Sequence, residues 1–228
     1  MPKKKPLIFL HGYLADKNSF YLQYPYFSKN YQIYALDLAG FGQNTSMPKA
    51  YSLDDYCQSV LEFIKKNDIN KPSVIAHSFG GRIAIKLASQ NADLFDKIVL
   101  TGSAGLKPRF SIRKWLKKIS FKFLSFFVKK SKLNKFYSSD YQKLSPIMKQ
   151  SFIKIVNEHL DDRLDRIQNK TLVVCGENDR ETPLYMAKKL NKKIKNSRLF
   201  IIKKAGHFAF IDSPYTFNME VMEFLNSK

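Results

Sequence analysis

The sequence predicts an α/β protein: a mostly parallel sheet of about six strands with helices on both faces. Short apolar runs rich in Ile, Val and Leu, each about the length of a buried parallel strand, recur along the chain and end in Gly, Asp, His or Ser. Helical patterns separate several of these runs. Strands that alternate with helices are typical of parallel sheets covered on both faces. The 228 residues, 44% of them hydrophobic, suffice for one sizeable core and exclude a disordered chain.

The predicted elements follow one another in a simple order until the middle of the chain. The predicted strands cover residues 7–10, 31–36, 73–76, 97–101, 171–175 and 198–202. The predicted helices cover residues 53–66, 80–90, 185–190 and 215–225. Between about residue 105 and residue 167 the pattern is helical only. We therefore assign residues 1–104 and 168–228 to an α/β core and residues 105–167 to an inserted helical cap, or lid.

Charge is the unusual feature of the composition. Lys and Arg number 39 against 19 acids, a formal net charge of +20. The window from Lys97 to Ser139 has no Asp or Glu and twelve Lys or Arg. Such an excess attracts polyanions, anionic lipid or acidic proteins. No apolar stretch is long enough for a transmembrane helix or a signal-peptide core, so we expect a cytoplasmic protein.

A serine stands at the turn between an apolar strand and a helical pattern. Residues 76–81 read Ala-His-Ser-Phe-Gly-Gly. This context predicts a nucleophile elbow, which lifts the Ser78 hydroxyl above the sheet. Small residues two before and two after the serine are needed because backbone approaches backbone there. Gly80 fits this pattern, Ala76 replaces the usual first glycine, and the alternative is a small-residue turn without function.

A base and an orienting acid for this serine follow two later strands. Asp179 comes just after the strand 171–175, and His207 just after the strand 198–202. The carboxyl ends of parallel strands share one edge, where ligands bind, so three loops bring Ser, Asp and His together. Taken singly, Asp179 could be a turn or helix cap and His207 a structural loop histidine.

These motifs resemble the α/β-hydrolase fold superfamily, in the group with a helical cap after the sixth strand. His11-Gly12 resembles its oxyanion loop, residues 37–42 (Asp-Leu-Ala-Gly-Phe-Gly) its D-x-x-G-x-G turn, and Gly206-His207 its histidine loop. The resemblance implies that Ser78 is the nucleophile, His207 the general base and then acid, and Asp179 the orienting carboxylate. It also implies an oxyanion hole made by the backbone N–H groups of Tyr13 and Phe79.

The resemblance carries further expectations. The family usually has two antiparallel strands before the strand that ends in His-Gly; here they should be missing, which leaves about six. No cofactor and no metal are expected. His11 and Gly12 should border the substrate, the His11 side chain shaping the oxyanion turn by bonding loop backbone. Asp37 is an alternative acid better interpreted as structural, and His77 and His159 are expected to be structural or exposed.

The cap has an amphipathic segment with aromatic and aliphatic residues on one face and lysines mostly elsewhere. The predicted substrate-binding members of that face are Trp115, Leu116, Ile119 and Phe123. We favour a lid whose apolar face covers the site; the alternatives are an interfacial helix on an anionic membrane surface and a docking surface for an acidic carrier protein. All three imply a substrate with an apolar part.

The sequence thus predicts a carboxylesterase-like serine hydrolase acting on a small-molecule ester. The alternatives are a hydrolase of acyl thioesters or carrier-linked esters, and a non-catalytic basic binding protein. Nucleic acid is not an expected partner, because the chain contains no recognised nucleic-acid-binding motif.

Overall fold

The computed structural model describes residues 4–109 and 144–227, and its framework is a single six-stranded sheet. The strands are β1 (Lys5–Leu10), β2 (Tyr31–Ala35), β3 (Ser73–His77), β4 (Lys97–Thr101), β5 (Lys170–Gly176) and β6 (Ser197–Ile202). They lie in the order β2-β1-β3-β4-β5-β6, and every neighbouring pair is parallel. The predicted α/β class and the sheet of six strands are confirmed; the bounds of β4 match the prediction, and those of the other five strands differ from it by one or two residues.

Helices cover both faces of the sheet. In the described ranges they are α1 (Tyr24–Phe27), α2 (Leu53–Lys66), α3 (Phe79–Gln90), α4 (Pro146–Asn157), α5 (Leu184–Lys193), α6 (Ala209–Asp212) and α7 (Pro214–Asn226). A reciprocal capping box starts α2: the Ser52 hydroxyl accepts from the Asp55 N–H, and the Asp55 carboxylate accepts from the Ser52 N–H. No helix in these ranges is both long and apolar enough to span a bilayer.

The core consists of two layers, one on each side of the sheet. Alternate residues of a strand point to opposite faces, so Ile8 and Leu10 join one layer while Leu7 and Phe9 join the other. The first layer packs the sheet against α2, α3, α4 and α5, and the second packs it against α1, α6 and α7. The central strands are apolar on both faces because both faces are covered.

The strand order reverses between β1 and β3. The chain moves from β1 to the β2 edge, then returns to continue from β3 toward β6. Leu10 pairs with Ala76, so the loops that leave β1 and β3 emerge side by side. In open parallel sheets the crevice at such a reversal is where ligands bind. Ser78 and the predicted oxyanion loop are therefore neighbours at the carboxyl edge.

Helix α4 belongs to the predicted cap and is tied to the core by two cations of α3. The Arg82 guanidinium donates to the carbonyl of Ile155 at 2.9 Å and to that of Glu158 at 2.6 Å. The Lys86 ammonium, nearly inaccessible to solvent, lies 2.5 Å from Glu158 and 2.7 Å from Asp54. Residues 110–143 lie outside the described residues, so the division into core 1–104 plus 168–228 and cap 105–167 stays a prediction.

Candidate active site

The elbow at Ser78 has the strained backbone that its position between β3 and α3 requires. Ser78 has φ 48° and ψ −104°, in a region that residues other than glycine rarely adopt. Its N–H donates to the carbonyl of Thr101, and its carbonyl accepts from the N–H groups of Gly81 and Ala104. These bonds hold the turn against the end of β4, which offsets the strain.

Close backbone packing explains the small residues around the serine. A Cβ atom at Gly80 would overlap the carbonyl oxygen of Leu10, the last residue of β1. The Gly80 N–H donates to the carbonyl of His11 at 3.1 Å, which fastens the elbow to the oxyanion loop. Ala76, the departure from the family pattern, is a fully buried residue of β3 in regular pairing with Leu10 and Leu100. The strand accommodates its methyl group.

Asp179 follows β5 and is held as an ionised, buried carboxylate. Its Oδ1 accepts the N–H groups of Glu181 and Thr182, both at 2.9 Å. Its Oδ2 accepts the Thr182 hydroxyl at 2.8 Å and the His207 ring at 2.9 Å. Burial by itself would raise the pKa of Asp179, but the hydrogen bonds from His207 and Thr182 outweigh burial and leave this pKa below its ordinary value. The carboxylate therefore stays charged beside the imidazole.

His207 follows β6 and donates through Nδ1 to Asp179, which leaves Nε2 available to accept a proton. The end of β4 packs directly on this pair through Gly102, which has φ 50°. A Cβ atom there would lie 3.1 Å from Nδ1 of His207 and 3.3 Å from Oδ2 of Asp179. Gly102 is a position of the candidate site that sequence reasoning missed, although a glycine just after a strand end is a recognisable signal.

Ser78 lies at the same rim as the Asp179–His207 pair. Thr101, which accepts its N–H, directly precedes Gly102, and His77, which precedes Ser78, contacts His207. Within residues 4–109 and 144–227 there is no hydrogen bond between the Ser78 hydroxyl and the His207 ring. Such bonds are often long before substrate binds and tighten in the complex. The assignment of the three residues to a triad stays a prediction that this arrangement supports.

His77 links the nucleophile strand to the histidine loop. Its Nε2 donates to the backbone carbonyl of His207 at 3.2 Å, and the two rings lie 4.7 Å apart between centroids. Burial lowers the pKa of His77 to about 3, and the nearby His207 adds to this effect, so the ring is neutral. Among the described residues, no group partners its buried Nδ1. His77 is structural, and the sequence alone did not show that it supports His207.

The predicted oxyanion loop is shaped by His11. The His11 Nε2 accepts the N–H of Leu38 at 3.0 Å, so the proton is on Nδ1, which lies 2.7 Å from the Gly12 carbonyl. Burial lowers the pKa of His11, which keeps the ring neutral. Gly12 lies against the elbow: a Cβ there would be 2.8 Å from Nδ1 of His77 and 3.4 Å from Cβ of Ser78. His11 thus bonds the backbone of its own loop and that of the loop after β2.

Tyr13 and Phe79 form an aromatic wall beside Ser78. The rings of Tyr13 and Phe79 lie 5.5 Å apart, and Phe152 of α4 lies 5.1 Å from Tyr13. The Tyr13 hydroxyl donates to the carbonyl of Met148 at 3.1 Å, which joins the loop to α4. Phe79 is the first residue of α3, where a backbone N–H has no acceptor within the helix. The oxyanion-hole role of the Tyr13 and Phe79 N–H groups stays a prediction.

The remaining candidates fall outside this constellation. Asp37 is committed to its own turn, where it accepts the N–H groups of Lys17 and Gln43 at 2.8 and 2.9 Å. His159 is exposed at the end of the predicted cap. The predicted substrate-binding residues Trp115, Leu116, Ile119 and Phe123 lie outside the described residues. In the described part of the chain, no group of three or more His, Cys, Asp or Glu side chains could hold a metal ion.

The chain is similar in sequence and in fold to known proteins. A family model described as alpha/beta hydrolase fold matches residues 5–142 and 131–214. A Bacillus subtilis protein named uncharacterized hydrolase YugF is 25% identical over 98% of this chain and 91% of its own length. A putative esterase/lipase 2 from Mycoplasma genitalium is 27% identical over 99% of this chain and 91% of its own. Among solved structures, an esterase from Exiguobacterium antarcticum superposes with a TM-score of 0.79 at 22% identity, over 100% of this chain and 94% of that one.

Proposed function

The chain belongs to the alpha/beta hydrolase fold family, and on that premise we propose that it is a serine hydrolase of carboxylic esters with an apolar acyl or alcohol part. The names of the relatives, a hydrolase and a putative esterase/lipase, support hydrolase activity in general. The finer assignment rests chiefly on one observation. The buried Asp179 carboxylate accepts Nδ1–H of His207 at 2.9 Å, at the rim where the strained elbow presents Ser78.

The chemistry of the proposal follows from the tautomer that Asp179 imposes. With the proton on Nδ1, Nε2 of His207 takes the hydroxyl proton while Ser78 Oγ bonds to the ester carbonyl carbon. The tetrahedral intermediate then collapses, the bond to the alcohol oxygen breaks, and the imidazolium gives its proton to that oxygen. A water repeats the cycle against the acyl-enzyme, so that acid is released and Ser78 is restored.

The oxyanion is held by the backbone N–H groups of Tyr13 and Phe79 in this proposal. Each preorganised donor of this kind contributes about 3 kcal/mol to the transition state in comparable sites. The hydrogen bond from the Gly80 N–H to the His11 carbonyl holds the loop of Tyr13 against the start of α3, where Phe79 lies. The Tyr13, Phe79 and Phe152 rings form an apolar wall nearby, which supports an apolar substrate part.

The test is hydrolysis of p-nitrophenyl esters by wild type and by Ser78→Ala, with Ser89→Ala on the same helix as the matched control. We expect Ser78→Ala to lower kcat/KM by at least about a thousandfold and Ser89→Ala to leave it unchanged. A fluorophosphonate probe should label wild type and the control but not Ser78→Ala. Equal turnover by Ser78→Ala, or no labelling of wild type, would end the proposal and favour a binding protein.

The acid-free basic window from Lys97 to Ser139 favours a second candidate, in which the acyl group arrives on an acidic carrier protein as an ester or thioester. In the described part of this window, Lys97 is not available to a partner, because its ammonium binds the carbonyls of Phe224 and Leu225 at the end of α7. Arg109 stacks 4.4 Å over the Tyr185 ring. Turnover of carrier-linked substrate that falls steeply with salt, while small esters are unaffected, would select this candidate.

A further inference from the structure

Thr182 contacts both members of the Asp179–His207 pair. Its hydroxyl donates to Oδ2 of Asp179 at 2.8 Å and lies 3.4 Å from Nδ1 of His207. Oδ2 therefore receives two hydrogen bonds, one from Thr182 and one from the imidazole. The other carboxylate oxygen is occupied by two backbone N–H groups.

Solvent has no access to this carboxylate. The side chain of Asp179 is 0% exposed, while that of His207 is 14% exposed. If the Thr182 hydroxyl were removed, bulk water could not readily replace the lost hydrogen bond. The charge on Oδ2 would then be shared with a single donor, the His207 ring.

We propose that Thr182 is a positioning residue: the hydrogen bond from its hydroxyl to Asp179 weakens the interaction of this carboxylate with the Nδ1–H group of His207. The inference rests on the proposed function for its kinetic consequence. Its physical basis is competition: a carboxylate oxygen that already accepts one strong donor is a weaker acceptor for the next. Thr182 acts through Asp179 and does not touch the reacting atoms.

The charged and titratable groups near His207 lie on three elements: the loop after β5, helix α6 and strand β3. Asp179 follows β5, and Asp212 of α6 accepts the N–H of Gly206 at 2.7 Å. His77 of β3 packs against the ring, and its pKa of about 3 keeps it neutral across the pH range of an esterase assay. Asp179 is thus the charge that faces the His207 ring directly among the described residues.

When the Thr182 hydroxyl is absent, Asp179 stabilises the protonated imidazole of His207 more strongly. The base must be unprotonated to accept the serine proton, and kcat/KM therefore falls at a higher pH than in wild type. We expect Thr182→Val to shift the acid limb of the pH profile upward by about half a unit to one unit.

The experiment compares Thr182→Val, which removes the hydroxyl at nearly constant shape, with Thr182→Ser, which keeps it. The pH profile of kcat/KM is measured for p-nitrophenyl ester hydrolysis, and Thr182→Ser should retain the wild-type limb. A purely structural role would lower the melting temperature and the activity of Thr182→Val without moving the limb, and this result would overturn the proposal. If Thr182→Val does not fold, Thr182→Ala removes the same hydroxyl.

A second measurement separates this inference from the proposed function. The His207 ring is titrated by NMR in the Ser78→Ala background, with and without Thr182→Val, and its signal is identified by its loss in His207→Gln. This titration needs no substrate. An upward shift supports the role of Thr182 even if ester hydrolysis fails, and an unchanged titration refutes that role even if Ser78 proves to be the nucleophile.

Discussion

Replacing Asp179 by asparagine tests the candidate site most directly, because the change keeps the shape of the side chain while it removes the negative charge and half of the acceptor capacity. The carboxylate accepts four hydrogen bonds, two at each oxygen. Asparagine has one accepting oxygen and one donating NH₂ group. One pair of donors must therefore face another donor.

The structure decides which pair loses its acceptor. If the NH₂ group faced the backbone N–H groups of Glu181 and Thr182, both donors would lose their acceptor, and the buried N–H of Thr182 would be unpaired at a cost of about 1–3 kcal/mol. If the NH₂ group instead faces the Thr182 hydroxyl and the His207 ring, both partners can adapt. The hydroxyl can rotate, and the ring can shift its proton from Nδ1 to Nε2. The second arrangement costs less, so the variant folds but holds His207 in the wrong tautomer.

A ring with its proton on Nε2 cannot accept the proton of Ser78. In a serine protease the equivalent change lowers kcat about 10⁴-fold. At about 1.4 kcal/mol per factor of ten, this corresponds to about 5.5 kcal/mol of transition-state stabilisation. We expect a fall of the same order here, with the free energy of unfolding reduced by less than about 2 kcal/mol.

The assay is kcat/KM for p-nitrophenyl ester hydrolysis together with urea unfolding. Asp93→Asn is the matched control, because Asp93 is an exposed residue near the amino end of β4, away from the carboxyl edge. If Asp179→Asn kept more than a tenth of the wild-type kcat/KM while remaining folded, the tautomer argument would be refuted.

Two further outcomes concern stability and are measured by urea unfolding. Gly80→Ala places a methyl group against the backbone of Leu10 and should lower the free energy of unfolding by about 2–3 kcal/mol. In the control Gly206→Ala, the new Cβ would lie 3.4 Å from its nearest neighbour, and the loss should be less than half as large. Equal losses of stability in the two variants would contradict the packing argument. The Asp55 carboxylate accepts hydrogen bonds from Lys49 and from Ser52, the N-cap residue of α2. These bonds lower the pKa of Asp55 to about 2, and the bond from Lys49 has the larger effect. The ionised Asp55 carboxylate therefore stabilises the folded protein by about 1 kcal/mol or less, because the site is partly exposed. This contribution is fully present above the unfolded-state pKa of about 4 and is lost as the pH falls toward 2. Asp55→Asn should therefore flatten the pH dependence of stability between pH 4 and pH 2, and an unchanged slope would contradict this assignment.

The sequence was sufficient for the fold class because its signals are local. Each apolar run is bounded by polar or turn residues, and the alternation of Leu7, Ile8, Phe9 and Leu10 between two core layers needs only the two-residue period of a strand. The loops that bear Ser78, Asp179 and His207 follow from the same pattern. Parallel strands bring their carboxyl ends to one edge, so residues just after those strands are placed together without any knowledge of side-chain contacts.

Tertiary structure alone decided how those side chains are supported. Asp37 and Asp179 are both acids after strands, yet Asp37 is occupied by Lys17 and Gln43 while Asp179 binds His207. The contacts of His77 and Thr182 with the candidate base depend on loops that are distant in sequence. No periodicity encodes such contacts, because they arise from the relative placement of whole strands and from which loop fills the space beside each buried polar atom.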